Sequence, residues 1–293
     1  MKTRNLNILV ALILYTLVMN SLNGDAWASD FDLAAHYQHN VKQVKVEQQP
    51  LDAEKVVINF TSFDGAQVNG QISYPKIKRQ QYPLVIAMHA MGRSYPRWWH
   101  AELKGSKTVT QVHKLTELAH QNGFAVIALD ARHHGSRKQA DVSLKEIMTN
   151  LHQGDKQAYQ DMIRHSILDY RLLLDWLHLQ PQFKDQQIRV VGYSMGGQMA
   201  LLLAAIDERV SEVLSIVPPH IDDTMPVVAP VLAAKMIDDK AVTLLTANQD
   251  QYATEQQNQT LFDAIASKDK VRLVFNADHI LPESYVEKIR YWF

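Results

Sequence analysis

The sequence predicts an α/β fold with a mostly parallel central sheet, helices on both faces and an N-terminal antiparallel hairpin. From Pro83 onward, short apolar runs alternate with longer amphipathic segments, which is the pattern of buried strands connected by helices. Before Pro83, two segments at 56–62 and 67–75 flank Asp64-Gly65, a residue pair typical of a hairpin turn.

The composition is that of one large globular domain. The chain has 293 residues, of which 46% are hydrophobic and 21% charged, and its formal net charge is −1. Without a basic excess there is no electrostatic case for nucleic-acid binding. The chain contains no cysteine, which excludes disulfides, a thiol nucleophile, thiolate metal ligands and lipid attachment at a cysteine.

Residues 1–28 have the pattern of a cleavable signal peptide. Lys2 and Arg4 form a basic start, an apolar run extends from Ile8 to Met19, and Ala26-Trp27-Ala28 is a small-residue cleavage site. Because a membrane-spanning helix needs roughly 20 apolar residues, the run is too short to span. The sequence therefore predicts cleavage after Ala28 and a periplasmic or secreted protein without stable membrane insertion. An uncleaved N-terminal anchor is the alternative.

The elements of the predicted domain follow in order. Residues 29–55 are polar and are predicted to be a lead-in to a single domain at 56–293. After the hairpin, the apolar runs predict buried strands at 84–88, 124–129, 188–191, 213–217, 241–246 and 271–275. Helices are predicted at 107–121, 158–179, 198–206, 254–266 and from 282 to the end.

The stretch from Gly192 to Gly196 has the pattern Gly-x-Ser-x-Gly between a predicted strand and a predicted helix, which is typical of a nucleophile elbow. Such a turn holds Ser194 in a strained conformation at the tip of the sheet, and a side chain at either glycine would collide with neighbouring backbone. Free N–H groups at the start of the following helix can meet a developing oxyanion. The alternative is that Ser194 only caps that helix.

A serine nucleophile needs a base within hydrogen-bonding reach and a carboxylate that orients the base. In parallel sheets the functional residues lie at the carboxyl ends of strands. There Asp250 and His279 follow Ser194 in the order expected of a Gly-x-Ser-x-Gly enzyme. The alternatives are that Asp222 or Asp223 is the orienting acid, that Asp250 caps a helix, and that His279 is a surface residue.

Together these motifs resemble the α/β-hydrolase superfamily, in particular its dienelactone-hydrolase-like and small serine carboxylesterase branches. The resemblance covers about residues 56–293. It rests on Asp64-Gly65, His89-Ala90-Met91-Gly92, Asp130 to Gly135, the elbow, Leu244 to Asp250 and Ala277-Asp278-His279. Two features differ: dienelactone hydrolases carry a cysteine nucleophile, and His89-Ala90 stands where these enzymes usually have His-Gly.

The resemblance implies a role for each matching residue. Ser194 would attack the acyl carbon, His279 would move the proton and Asp250 would hold the histidine. The oxyanion hole would use the backbone N–H of Met195 and that of Met91 in the preceding loop, with Ala90 as the alternative to Met91.

No cofactor and no metal are predicted, because a triad and an oxyanion hole supply the chemistry. His133 and His134 beside Asp130, with His89 and His220 at other strand ends, raise the possibility of a metal site. Adjacent histidines on an extended turn point apart, however, and no carboxylates complete a set of ligands. Packing of the turn is the preferred interpretation.

The predicted function is an exported serine carboxylesterase that cleaves small or medium acyl esters through an acyl-enzyme, with a small-molecule acyl substrate. A peptidase, amidase or thioesterase of the same fold would carry the same triad, and a catalytically silent binding protein is a further alternative. The segments 137–157 and 218–239 are predicted to shape specificity. Trp98-Trp99 are expected either to line an acyl pocket or to cover the sheet edge. The sequence indicates no oligomeric state.

Overall fold

The computed structural model describes residues 31–41 and 43–293. The predicted signal peptide, residues 1–28, lies outside the described residues. The described residues divide into two units, one within residues 31–36 and one within 37–293. The described part of the first unit leads into a short 3-10 helix, Ala34–Tyr37.

In the described part of the second unit, one sheet contains nine strands. The strands, including those of a separate small hairpin, are β1 (Glu47–Pro50), β2 (Lys55–Thr61), β3 (Gln67–Ser73), β4 (Leu84–Met88), β5 (Glu102–Leu103), β6 (Ser106–Lys107), β7 (Ala125–Leu129), β8 (Ile188–Tyr193), β9 (Val210–Ile216), β10 (Ala241–Ala247) and β11 (Lys270–Phe275). The order in the large sheet is β1-β2-β3-β7-β4-β8-β9-β10-β11, and β5 pairs with β6 separately. The pairs β1–β2, β2–β3 and β3–β7 are antiparallel. The remaining pairs, β7–β4, β4–β8, β8–β9, β9–β10 and β10–β11, are parallel. The predicted mixed α/β sheet is confirmed.

The predicted hairpin is formed by β2 and β3, which pair in register from Lys55 with Ser73 to Thr61 with Gln67. Gly65 has a φ of 85° at the turn, a conformation that L side chains rarely adopt. Upstream, β1 pairs with β2, so a strand lies within the segment predicted as a lead-in.

Seven α-helices lie among the described residues. They are α1 (Val112–Gln121), α2 (Leu144–His152), α3 (Gln157–His178), α4 (Met195–Ile206), α5 (Pro230–Ala234), α6 (Glu255–Ala264) and α7 (Tyr285–Lys288). Further 3-10 turns are Tyr95–Trp98, Gly135–Arg137, Pro226–Val228 and Arg290–Trp292. None of the described helices combines the length and the apolarity that crossing a membrane requires.

Three segments differ from the sequence-based expectation. The helix predicted from residue 282 to the end is divided into α7 and the 3-10 turn Arg290–Trp292. The helix predicted over 107–121 begins only at Val112, because Lys107 belongs to β6 and Gln111, with a φ of 54°, is not in a helical conformation. The segment 137–157 was expected to be a polar insertion but contains α2. Ser143 caps this helix by accepting a hydrogen bond from the Glu146 N–H at 3.0 Å. A Ser-x-x-Glu pattern is the recognised sequence signal for such a start.

The core lies on both faces of the parallel strands. All residues of β4 and β7 are buried, as are the first ten residues of α4, from Met195 to Ala204. Strands that are apolar on both sides must be covered on both faces, and a helix that is apolar all round must be buried. This packing holds the carboxyl ends of β4, β7, β8 and β10 at one edge of the sheet.

Candidate active site

Ser194 lies between β8 and α4 in the strained conformation that the elbow pattern predicts. Its φ is 57° and its ψ is −120°, and its N–H donates to the carbonyl oxygen of Ile216 at 2.8 Å. The Ser194 side chain makes no capping hydrogen bond to α4. The hydroxyl is therefore available to another partner, and the helix-capping alternative does not describe the site.

The elbow requires glycine on either side of Ser194. A Cβ at Gly192 would lie 1.9 Å from the carbonyl oxygen of Gly196, and one at Gly196 would lie 2.1 Å from that of Met88. Both distances are far below van der Waals contact, and the obstructing atoms are backbone. The expected collision is confirmed.

Three side chains from three loops form a hydrogen-bonded relay. His279 Nε2 lies 2.7 Å from Ser194 Oγ, and His279 Nδ1 lies 2.8 Å from Asp250 Oδ2. An ionised carboxylate only accepts hydrogen bonds, so Nδ1 carries the proton and Nε2 accepts from the serine hydroxyl. The Asp250 side chain is 1% exposed and that of His279 is 10% exposed.

The structure places Asp250, rather than the alternative acids, against His279. The second carboxylate oxygen of Asp250 accepts from the Tyr252 N–H at 2.8 Å. Helix α6 is capped instead by Thr254. The side chain of Asp222 is 55% exposed, and its oxygen accepts from the Thr224 N–H at 2.9 Å. Asp223 is exposed as well.

The loop that carries His279 is fastened by Tyr193, the residue before the nucleophile. The Tyr193 hydroxyl donates to the carbonyl oxygen of His279 and accepts from the N–H of Leu281, both at 2.9 Å. Burial raises the pKa of this phenol above its ordinary range, so the hydroxyl keeps its proton. The Tyr252 ring packs edge-on against the imidazole, with centroids 4.6 Å apart. Neither tyrosine is among the site residues that the sequence predicts.

The loop after β4 is held in place by His89. His89 Nε2 accepts from the Ala131 N–H at 3.0 Å, and Nδ1 therefore donates to the carbonyl oxygen of Ala90 at 2.9 Å. Burial, with a smaller contribution from the charge of Arg137, lowers the pKa of His89 to about 4, so the ring is neutral. The neutral imidazole thus ties this loop to the turn after β7 and fixes the position of Met91.

A cavity of about 730 Å³ opens beside Ser194. Met91 and Met195 border it, as do residues from both segments that were predicted to shape specificity. Its mainly apolar wall includes Met148, Leu151, Tyr159, Ile221, Tyr252 and Ile280. Trp98 and Trp99 do not border it: Trp98 is 1% exposed in the core, and the Trp99 Nε1–H donates to Ser73 Oγ at 2.7 Å.

The turn after β7 has a packing role. Asp130 accepts from the Tyr95 N–H at 3.0 Å and from the Ser136 N–H at 2.8 Å. His134 is wholly buried, and its Nδ1 donates to the carbonyl oxygen of Arg132 at 2.7 Å. Burial lowers the pKa of His134 to about 3. Within residues 31–41 and 43–293, no three histidine or acidic side chains form a group that could hold a metal ion.

A buried ion-pair network connects this turn to α3 and to the N-terminal hairpin. Arg132 donates from Nε and Nη2 to the two carboxylate oxygens of Asp169, both at 2.9 Å, and from Nη1 to Asp64 at 2.6 Å. Arg137 adds a bond to Asp169 at 2.7 Å. Removing one partner of such a buried pair costs about 3–5 kcal/mol, because it leaves an uncompensated charge. These partners are distant in the chain, so sequence patterns did not reveal them.

Comparison with known sequences agrees with this geometry. Residues 24–225, more than half of the chain, match the sequence profile of the acetyl xylan esterase (AXE1) family. Residues 173–288 match that of the BAAT / acyl-CoA thioester hydrolase C-terminal family. YtaP, a Bacillus subtilis (strain 168) protein named as a hydrolase, is 30% identical over 139 residues. The alignment covers 46% of this chain and 43% of YtaP, so the chain matches less than half of that relative's length.

Solved structures share the fold. Acetyl xylan esterase 1 from Thermoanaerobacterium sp. JW/SL YS485 superposes with a TM-score of 0.68 and 18% identity, over 91% of each chain. The acetyl xylan esterase from Paenibacillus sp. R4 gives 0.63 and 15%, over 92% of each chain. A cold-adapted esterase from an Arctic intertidal metagenomic library gives 0.61 and 20%, over 84% of this chain and 97% of the other. At these identities the likeness establishes the fold alone, and together with the family profiles it confirms the resemblance to the α/β-hydrolase superfamily.

Proposed function

The chain belongs to the acetyl xylan esterase family, a family of carboxylic ester hydrolases, and on this basis we propose that it is a serine carboxylesterase acting through an acyl-enzyme. The observation that carries the proposal is the relay at Ser194. A hydroxyl on a strained elbow lies 2.7 Å from an imidazole, which in turn lies 2.8 Å from a buried carboxylate. This arrangement activates a serine for attack on an acyl carbon.

Each residue of the relay has one task in the proposed reaction. Ser194 Oγ attacks the acyl carbon while its proton moves to His279 Nε2, and Asp250 stabilises the imidazolium that forms. When the tetrahedral intermediate collapses, the alcohol takes that proton and leaves. Water then attacks the acyl-enzyme with His279 again as base, which releases the carboxylic acid and restores the Ser194 hydroxyl.

The backbone N–H groups of Met195 and Met91 are proposed to stabilise the oxyanion of the intermediate. Met195 is the first residue of α4, where helix N–H groups lack partners within the helix. Met91 borders the same cavity, in the loop that His89 holds, and Ala90 is the alternative donor. In comparable sites, removal of one such donor lowers turnover by about 10²–10³.

The proposed substrates are esters of small or medium acyl groups, with acetyl esters first among them. Support comes from the family match and from the apolar wall of the cavity, to which Met148, Leu151 and Ile221 contribute. Apolar side chains next to the nucleophile suit the hydrocarbon part of an acyl group.

Labelling with a fluorophosphonate tests the nucleophile directly. Intact mass should show one adduct on the native protein and none on Ser194→Ala, because only an activated serine reacts. A panel of short acyl esters beside matched aminoacyl amides then separates an esterase from a peptidase or amidase. A folded native protein that neither forms an adduct nor cleaves any ester would refute the proposal and favour a silent binding protein.

One second candidate function has specific support. The match of residues 173–288 to the acyl-CoA thioester hydrolase profile favours thioester cleavage by the same triad. Acetyl-CoA and longer acyl-CoA thioesters therefore belong in the panel. A kcat/KM for a thioester above that for every oxygen ester would transfer the assignment to a thioesterase.

We also propose that the protein is exported and that its signal peptide is cleaved after Ala28. Support comes from the basic start, the short apolar run and Ala26-Trp27-Ala28. Expression of the full chain in a Gram-negative host, followed by fractionation and intact mass, tests this proposal. A periplasmic species beginning at Ser29 is expected, whereas a membrane-bound species that keeps residues 1–28 would support the uncleaved anchor.

A further inference from the structure

A second cavity adjoins the one beside Ser194. Its volume is about 570 Å³, and it lies between the loop at 92–97, the β5–β6 hairpin and the turn at 135–138. Arg93 borders both cavities. The two cavities are therefore neighbours, with Arg93 in the wall of each.

The second cavity is bordered by more positive than negative charge. Arg93, Lys104 and Lys138 border it with exposed side chains, and over the described part of the chain none of them forms an ion pair. Asp130 is the one carboxylate among the described residues on its wall, but it is 2% exposed. Its oxygens already accept hydrogen bonds from Tyr95 and Ser136. An incoming anion thus meets three exposed cations, whereas the one carboxylate on the wall is buried.

A fourth cation, the buried Arg97, also borders the second cavity. It is 9% exposed, and its guanidinium donates to the carbonyl oxygens of Leu103 and Ser106 at 3.4 and 2.5 Å. Burial lowers the pKa of Arg97, and the neighbouring charge of Arg93 lowers it further. Arg97 therefore adds a fourth positive charge to the wall of the second cavity.

The rest of the wall suits a hydroxylated ligand. Ser94, Ser106 and Ser136 border the cavity, and the half-buried ring of Tyr95 offers an aromatic surface. Hydroxyl groups exchange hydrogen bonds with sugar hydroxyls, and an aromatic ring packs against the C–H face of a sugar.

We propose that the second cavity binds the alcohol half of the substrate and that this alcohol carries a negative charge, as an acidic saccharide does. This inference rests on the proposed esterase function. The acyl group stays bonded to Ser194 beside apolar residues, whereas the alcohol must depart before water attacks. Because exposed polar side chains border the second cavity, the alcohol can leave through it into solvent.

A matched pair of esters tests the inference. O-Acetyl glucuronate and O-acetyl glucose share one ring and differ by a carboxylate in place of a hydroxymethyl group. We expect the native enzyme to show a kcat/KM about tenfold higher for the glucuronate ester, and we expect added salt to reduce this ratio. Arg93→Gln and the double variant Lys104→Gln/Lys138→Gln should each lower the ratio by about three- to fivefold. Lys107→Gln is the matched control, because Lys107 is an exposed cation in the same hairpin but outside the cavity.

Turnover of 4-nitrophenyl acetate by the native enzyme distinguishes failure of the esterase function from failure of the charged-alcohol inference. If this neutral ester is cleaved and the glucuronate-to-glucose ratio is near one, the charged-alcohol inference is wrong and the esterase function stands. The same holds if the ratio in Arg93→Gln and in Lys104→Gln/Lys138→Gln equals that in Lys107→Gln. If no ester is cleaved by the folded protein, the esterase function fails and the inference fails with it. A ratio that falls in Arg93→Gln and in Lys104→Gln/Lys138→Gln but not in Lys107→Gln supports the esterase function and the charged-alcohol inference.

Discussion

The hydroxyl of Tyr193 is predicted to position His279, and Tyr193→Phe removes it with little other change. The hydroxyl makes two buried hydrogen bonds of 2.9 Å, one to the His279 carbonyl and one from the Leu281 N–H. A buried hydrogen bond contributes about 1 kcal/mol, and each unsatisfied backbone group that remains adds a desolvation cost. The free energy of unfolding should therefore fall by about 2–4 kcal/mol.

The catalytic effect of Tyr193→Phe should exceed what its stability loss explains. Once released, the His279 loop can shift, and a small displacement of Nε2 from Ser194 Oγ lowers the fraction of molecules in which the proton can move. We expect kcat to fall by about 10- to 100-fold. KM should change less than kcat, because the phenyl ring keeps its place in the cavity wall. Steady-state kinetics on a short acyl ester and urea unfolding of the same preparations measure the two effects.

Tyr170→Phe is the matched control for this prediction. The Tyr170 ring is 1% exposed, and its hydroxyl also bridges backbone groups, donating to the Ala87 carbonyl at 3.1 Å and accepting from the Leu129 N–H at 3.2 Å. It should lose similar stability with kcat within about threefold of the native value. Equal losses of kcat in both variants, or a native kcat in a destabilised Tyr193→Phe, would refute the positioning role.

Three further predictions follow from the geometry. Gly196→Ala should yield no folded protein, because its Cβ would lie 2.1 Å from the Met88 carbonyl oxygen; a native circular-dichroism spectrum and melting temperature would contradict this. Asp250→Asn should lower kcat by about 10³–10⁴ while Asp222→Asn stays within about twofold; the reverse pattern in steady-state assays would move the orienting acid to Asp222. For His89, the folded-state pKa of about 4 lies below its ordinary 6.5, so between these values the unfolded chain binds more protons and stability falls as the pH is lowered. Urea unfolding should show a loss of about 2 kcal/mol from pH 7 to pH 5 attributable to His89, and an equally large pH dependence in His89→Gln would disprove it.

Local chemistry explains why the elbow was predictable from sequence. An apolar strand, Gly-x-Ser-x-Gly and an apolar helix occupy consecutive residues, and the constraint at Gly192 and Gly196 acts over a few residues of backbone. The alternating strands and the Asp64-Gly65 hairpin were predictable for the same reason. Helix α2 was also predictable, because Ser143 and Glu146 form a recognisable helix start. The polar composition of the segment favoured an irregular insertion instead.

The residues that form the triad with Ser194 could not be chosen from the sequence alone. The order of Ser194, Asp250 and His279 along the chain suggested a triad, but Asp222 had a comparable position after its own strand. The fold decides between them by burying Asp250 at 2.8 Å from His279 and leaving Asp222 exposed. Nothing in the sequence indicates which loop folds over which strand end.

By itself, then, the sequence determined the α/β class, the hairpin, the elbow and a short set of candidate partners, because each depends on neighbours in the chain. Only the tertiary structure decided the choice of acid, the hydrogen bonds by which Tyr193 holds the His279 loop, and the place of Arg93 in the walls of two cavities. These features join residues that are tens of residues apart. Hydrogen bonds and charges act over a few ångströms of space, and the packing of the whole sheet sets which residues come that close.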